Sequence, residues 1–79
     1  MSKTEKARQA LTEAIEHVTG ECEYPVGTLF GNGIFDELDI MNMLVYLEDH
    51  YSVNIDAGEH NITTETSINT VITLIEERL

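Results

Sequence analysis

Seventy-nine residues, 8.9 kDa, make one small domain, because a core of this size supplies only a few kcal/mol and cannot be divided, which excludes two-domain and barrel architectures. Apolar residues form 42% of the chain without a low-complexity tract, the composition of a folded domain and not of a disordered acidic tail. Four Lys and Arg stand against fifteen Asp and Glu, a net charge of −11, with no Lys or Arg between residues 9 and 77; nucleic acid is excluded as a direct partner, anionic lipid surfaces are disfavoured, and basic patches of other proteins are favoured.

The first predicted element runs from Lys3 to Thr19. Ala7, Leu11, Ala14, Ile15 and Val18 recur at three- and four-residue intervals with Glu13 and Glu16 outside the stripe, the pattern of an amphipathic helix. Thr4 or Ser2 supplies its cap, Gly20 its left-handed stop, and His17 falls in the last turn. Residues 20–35 then hold four of the five glycines and the only proline, Pro25, so no regular helix can continue. Tyr24, Val26, Leu29, Phe30, Ile34 and Phe35 are too apolar for a solvated linker, and the loop is expected to lie across the helices.

Asp36 is the expected N-cap of a second helix, with Glu37 and Asp39 in a first turn where carboxylates complement the helix dipole. Ile40, Met43, Leu44, Leu47 and Tyr51 supply its buried stripe, and His50 lies at its end. Met41, Val45 and Tyr46 fall outside that stripe, so the helix is either the central one or offers an apolar strip to a partner; additional core is the commoner meaning of such residues. Val53-Asn54-Ile55 is too short and too isolated for a sheet and is expected to be coil, followed by one short helical turn over residues 56–61. Ser67 caps a last helix carrying Ile68, Val71, Ile72 and Ile75 and running to Leu79.

In this order of elements, Leu29-Phe30-Gly31-Asn32-Gly33-Ile34-Phe35-Asp36-Glu37-Leu38-Asp39-Ile40-Met41-Asn42-Met43-Leu44 resembles the acyl, D-alanyl and peptidyl carrier pattern, in which a Leu-Phe loop runs into Asp-Ser-Leu at a helix start. Leu47-Glu48-Asp49-His50-Tyr51-Ser52-Val53-Asn54-Ile55 is similar to the family's Leu-Glu-Glu-x-Phe-x-Ile-x-Ile signature, and Ser67-Ile68-Asn69-Thr70-Val71-Ile72 to the start of its last helix. The resemblance covers residues 29–79; residues 1–28 agree in pattern alone. It implies an all-α, acyl-carrier-protein-like four-helix bundle of three main helices and one short one, with a long loop after the first. In that family a serine at the helix start carries 4′-phosphopantetheine through a phosphodiester, an anion favoured by free backbone amides. Here Glu37 stands at the serine position, and a carboxylate attacking coenzyme A would give a hydrolysable acyl phosphate, so no arm and no other cofactor is expected. Ser52 and Ser67 lie outside the Asp-Ser-Leu context and do not replace it.

The reading that follows is a single domain over residues 1–79, a docking module in which Asp36, Glu37, Asp39, Glu48 and Asp49 meet a basic patch of a biosynthetic or acyl-transfer enzyme, with Leu38 and Met41 as apolar contacts. The alternatives are a functional acyl or aminoacyl carrier whose serine was changed to Glu37, and a small acidic metal sensor. The sensor reading is weak: His17, His50, His60 and Cys22 lack metal-ligand spacing, and an EF-hand register through Gly33 puts Phe30 at a ligand position. No nucleophile set and no phosphate-cradling loop is present, so a non-catalytic module is expected. A single cysteine, a polar stretch over residues 1–9 and the lack of a long apolar run fit a cytoplasmic, monomeric protein without membrane insertion, in which the Asn61-Ile62-Thr63 sequon is a chance match. The expected core is Leu11, Ile15, Val18, Leu29, Phe30, Phe35, Leu38, Leu44, Leu47, Val53, Ile55, Ile62, Val71, Ile72 and Ile75.

Overall fold

The computed structural model describes residues 2–79 and contains three α-helices, α1 (Lys3–Thr19), α2 (Glu37–Tyr51) and α3 (Ile68–Glu76), with a short 3₁₀ turn at Phe30–Asn32. Each helix starts on a side chain chosen for the purpose. Ser2 accepts from the Glu5 amide, Asp36 from Asp39 and Ser67 from Thr70, each satisfying one of the donors that a helix start leaves unpaired. Gly20 ends α1 at φ 89° and Ser52 ends α2 at φ 57°, a left-handed stop without the usual glycine.

α1 is the central element and packs on both α2 and α3. Its buried face consists of Ala7, Ala10, Leu11, Ala14 and Ile15, and the three alanines let two helices approach one side of it closely. Ile40, Met43, Leu44 and Leu47 meet it from α2, and Ile68, Val71, Ile72, Leu74 and Ile75 from α3. Val53, Ile55 and Ile62 close the core from the coil between α2 and α3.

The 20–35 loop lies on the helices as expected and is tied to the chain just before α3. Leu29 donates to Thr66 O (3.0 Å) and Phe30 to Thr64 O (2.8 Å), Ile68 donates to Gly27 O (2.8 Å), and Asn32 Nδ2 donates to Val26 O and Thr28 O (2.7 Å each). Arg8 fastens the other end by donating to Pro25 O (2.7 Å) while its guanidinium lies 4.3 Å over the Tyr24 ring.

Four expectations are corrected. Phe30, Phe35 and Leu38 are not core residues: they are 57%, 62% and 64% exposed, because Leu29 and Ile34 take the inward positions and turn their neighbours outward. Val18 is only half-buried. The last helix stops at Glu76 and not at Leu79, the chain beyond it turning with the Arg78 amide donating to Ile75 O (3.0 Å) and the Leu79 amide to Glu76 O (3.3 Å). The short helical turn expected over residues 56–61 is there as a single turn and not as a fourth helix: Asp56 Oδ1 accepts from Gly58 and Glu59, His60 donates to Asp56 O (3.1 Å), and Asn61 reverses the chain at φ 52°. Ala7, Ala10, Ala14, Ile34, Ile40, Met43, Ile68 and Leu74 complete the core.

Candidate functional site

The start of α2 is fixed by a reciprocal pair of carboxylates. Asp36 Oδ1 accepts from the Asp39 amide (2.8 Å) and Asp39 Oδ2 accepts from the Phe35 amide (2.9 Å), which joins the last loop residue to the first helical turn. Both carboxylates are thereby committed to the backbone. Glu37, at the first helical position between them, is exposed and accepts no hydrogen bond among the described residues. The amides of Glu37 and Leu38 have no acceptor within the helix, so this end carries a partial positive charge beside a free carboxylate.

From there an apolar strip runs along α2. Leu38, Met41 and Val45 follow at intervals of three and four residues, so they share one helix face, and they are 64%, 60% and 52% exposed. The same interval brings Glu48 and Asp49, both exposed, to the far end of that face, about 16 Å from Glu37 at 1.5 Å per residue. Phe30 and Phe35, in edge contact at 5.2 Å between ring centres, are exposed on the loop that leads into α2. All seven residues expected to dock, Asp36, Glu37, Leu38, Asp39, Met41, Glu48 and Asp49, therefore lie on α2 or at its cap; six are exposed and Asp39 is half-buried on its backbone contact.

Beside Glu37 a cleft of about 250 Å³ opens between α2 and the 56–61 turn, lined by Glu37, Ile40, Met41, Ala57, Gly58 and Ile62. Its far wall and the two phenylalanines were not foreseen as site residues. The phenylalanines read as core from their apolarity, and no periodic pattern in a loop separates an outward aromatic from an inward one. Asp56 marks the turn, since its carboxylate accepts from Gly58 and Glu59, but what holds the turn near α2 is the burial of Ile55 and Ile62 in the core.

The remaining reactive side chains lie elsewhere. His17 and His50 flank the Tyr46 ring at 4.9 and 4.0 Å, while His60 faces Arg78, so the histidines do not converge. Among the described residues no three His, Cys, Asp or Glu side chains gather as metal ligands. Cys22 is half-buried, and burial, with Glu16 and Glu23 nearby, raises its thiol above the ordinary range. No helix among the described residues is long and apolar enough to cross a membrane.

Fold and site together define a small all-helical domain presenting an apolar strip with carboxylates at both ends. A scan against protein-family models, a search of curated proteins and a search of solved structures each returned no match for the chain.

Proposed function

We propose that this chain is a carrier-protein-like docking module that takes no phosphopantetheine arm. The observation that carries the reading is the placement of Glu37. The residue aligned with the attachment serine is the exposed first residue of a helix whose cap is already satisfied, and it adjoins the one apolar strip that α2 leaves uncovered. A serine there would put its hydroxyl over unpaired amides suited to a phosphodiester. Glu37 places a carboxylate there instead, which has no stable route to the arm. On this reading the 56–61 turn is the shortened counterpart of the short helix of a four-helix carrier.

Docking has two physical parts. Carboxylates at both ends of α2, with no Lys or Arg between residues 9 and 77, steer a basic patch toward the helix and favour a monomer over self-association. Leu38, Met41, Val45, Phe30 and Phe35 then supply the apolar area that a partner buries. The role fits a cytoplasmic biosynthetic or acyl-transfer enzyme as partner, and no catalytic step falls to this chain.

The test is intact mass after incubation with a broad-specificity phosphopantetheinyl transferase and coenzyme A, for this chain and for Glu37→Ser. The expected result is that Glu37→Ser alone gains the mass of the arm. A folded Glu37→Ser protein that stays unmodified overturns the carrier reading, and modification of the unaltered chain overturns the arm-less one.

A further inference from the structure

The cleft beside Glu37 is too small for an extended ligand. Its volume of about 250 Å³ lies below the ~300–1,000 Å³ of pockets that enclose drug-sized molecules, so one side chain fills it. Its walls, Ile40, Met41, Ala57 and Ile62, are apolar, while its rim carries one carboxylate with no partner within the molecule. These two features select the occupant. A neutral apolar side chain would gain the walls but strip water from Glu37 without replacing its hydrogen bonds, a penalty that grows for a charged group. A compact cation without a stem would satisfy Glu37 and leave the walls wet. An aliphatic stem ending in a cationic head, as in lysine or arginine, satisfies both.

We infer that this cleft is an anchor site for one long cationic side chain, lysine or arginine, of a docked protein, with the methylene stem between Met41 and Ile62 and the cationic head on Glu37. The inference rests on reading α2 as a docking face and names the group on the partner that fixes its register. A second copy of this chain does not qualify. Its Lys3 and Lys6 are exposed and its Arg8 and Arg78 are engaged on backbone carbonyls, but two bodies of charge −11 repel when their acidic faces approach, which keeps those lysines from this cleft. Glu48 and Asp49 attract cations as well, but it is Glu37 that lines this cleft.

The experiment follows the backbone amide chemical shifts of the full chain during titration with N-acetyl-lysine methylamide, with the norleucine analogue as the same stem without its charge. The expected result is saturable shifts centred on Glu37, Ile40, Met41, Ala57, Gly58 and Ile62 with the lysine probe and weaker ones with norleucine. Glu37→Gln, at an exposed position that keeps the cap, is expected to weaken lysine binding about two- to fivefold, the range of an exposed ion pair. Ala57→Leu, which narrows the cleft from the turn side, should remove the localised shifts while leaving attraction to Glu48 and Asp49. Equal binding of both probes, no saturable binding, shifts spread evenly over the acidic surface, or an unchanged Glu37→Gln titration would each overturn the inference. Lysine binding without arm transfer to Glu37→Ser would leave the cleft assigned and remove the carrier reading; the converse result would do the reverse.

Discussion

At the scale of single residues, the chemistry of α2 turns on Glu37 and the placement of its loop turns on Gly33. Gly33 closes the 3₁₀ turn at φ 94°, and a Cβ there would lie 2.9 Å from Thr19 Cγ2. Thr19 cannot easily turn away, because its hydroxyl is shared between Ile15 O at 2.9 Å and Glu21 O at 2.7 Å. Gly20 has nearly the same φ, 89°, with nothing within 4 Å of the added atom. Gly20→Ala should therefore cost the ~1–2 kcal/mol of a left-handed alanine, and Gly33→Ala clearly more, because collision adds to strain; chemical denaturation of the two variants measures the difference, and equal losses would show that the loop yields. Tyr51 supplies a pH test. Burial, then the hydrogen bond from its hydroxyl to Glu13 and the charge of that carboxylate, pushes its phenol up to about 12 from an ordinary 10.0. The unfolded chain thus releases this proton first as pH rises. The contribution is whole below about pH 10 and is lost between about pH 10 and pH 12. Tyr51→Phe should flatten that part of the stability curve relative to the parent chain, and an unchanged slope would assign the alkaline loss to other groups.

At the scale of elements, the periodic segments were legible and the irregular ones were not. Lys3–Thr19 and the caps Asp36 and Ser67 followed from spacing and side-chain chemistry, since a helix start needs an oxygen acceptor and a stripe needs a 3.6-residue period. The strip of Leu38, Met41 and Val45 was visible as apolar residues outside the buried stripe, but sequence could not tell central helix from edge helix. The three alanines of α1 decide that, by making α1 the helix that both others approach. The coil between α2 and α3 hangs on Arg78, whose Nε donates to Asn54 O (2.8 Å), Nη1 to Leu74 O (2.8 Å) and Nη2 to His60 Nε2 (3.0 Å), the ring nitrogen accepting because a guanidinium has no lone pair to offer. Arg78→Ala should lower stability by about 1–2 kcal/mol and speed amide exchange across residues 53–62 more than in α1. Uniform acceleration along the chain would show that Arg78 supports the whole fold and not this coil.

At the scale of the whole molecule, charge acts over a body of 30 × 28 × 21 Å. At about 0.01 M salt the screening length is ~30 Å, so every carboxylate feels every other; at about 0.15 M it is ~8 Å and only neighbours interact. A net charge of −11 should therefore make the melting temperature rise with sodium chloride across that range. A flat or falling melting curve would mean that the carboxylates are locally compensated, as Asp36 and Asp39 are by their amides. Partner docking should move the opposite way, its association rate falling with salt while the apolar strip holds the remaining affinity.

The sequence alone determined what depends on neighbours along the chain: three helices, the caps Asp36 and Ser67, the break at residues 20–35, the acidic field, and the absence of a hydroxyl at position 37. These are set by periodicity, by single side chains and by counting. Only the tertiary structure decided what depends on residues distant in sequence. Leu29 and Ile34 claimed the core and sent Phe30 and Phe35 outward, Leu38 joined Met41 and Val45 on the uncovered face of α2, and the Asp56 turn folded Ala57 and Ile62 against Glu37 to make a cleft. Apolarity marks a residue as able to be buried. Which apolar residues are buried follows from a core too small for all of them, and packing around α1 makes that choice.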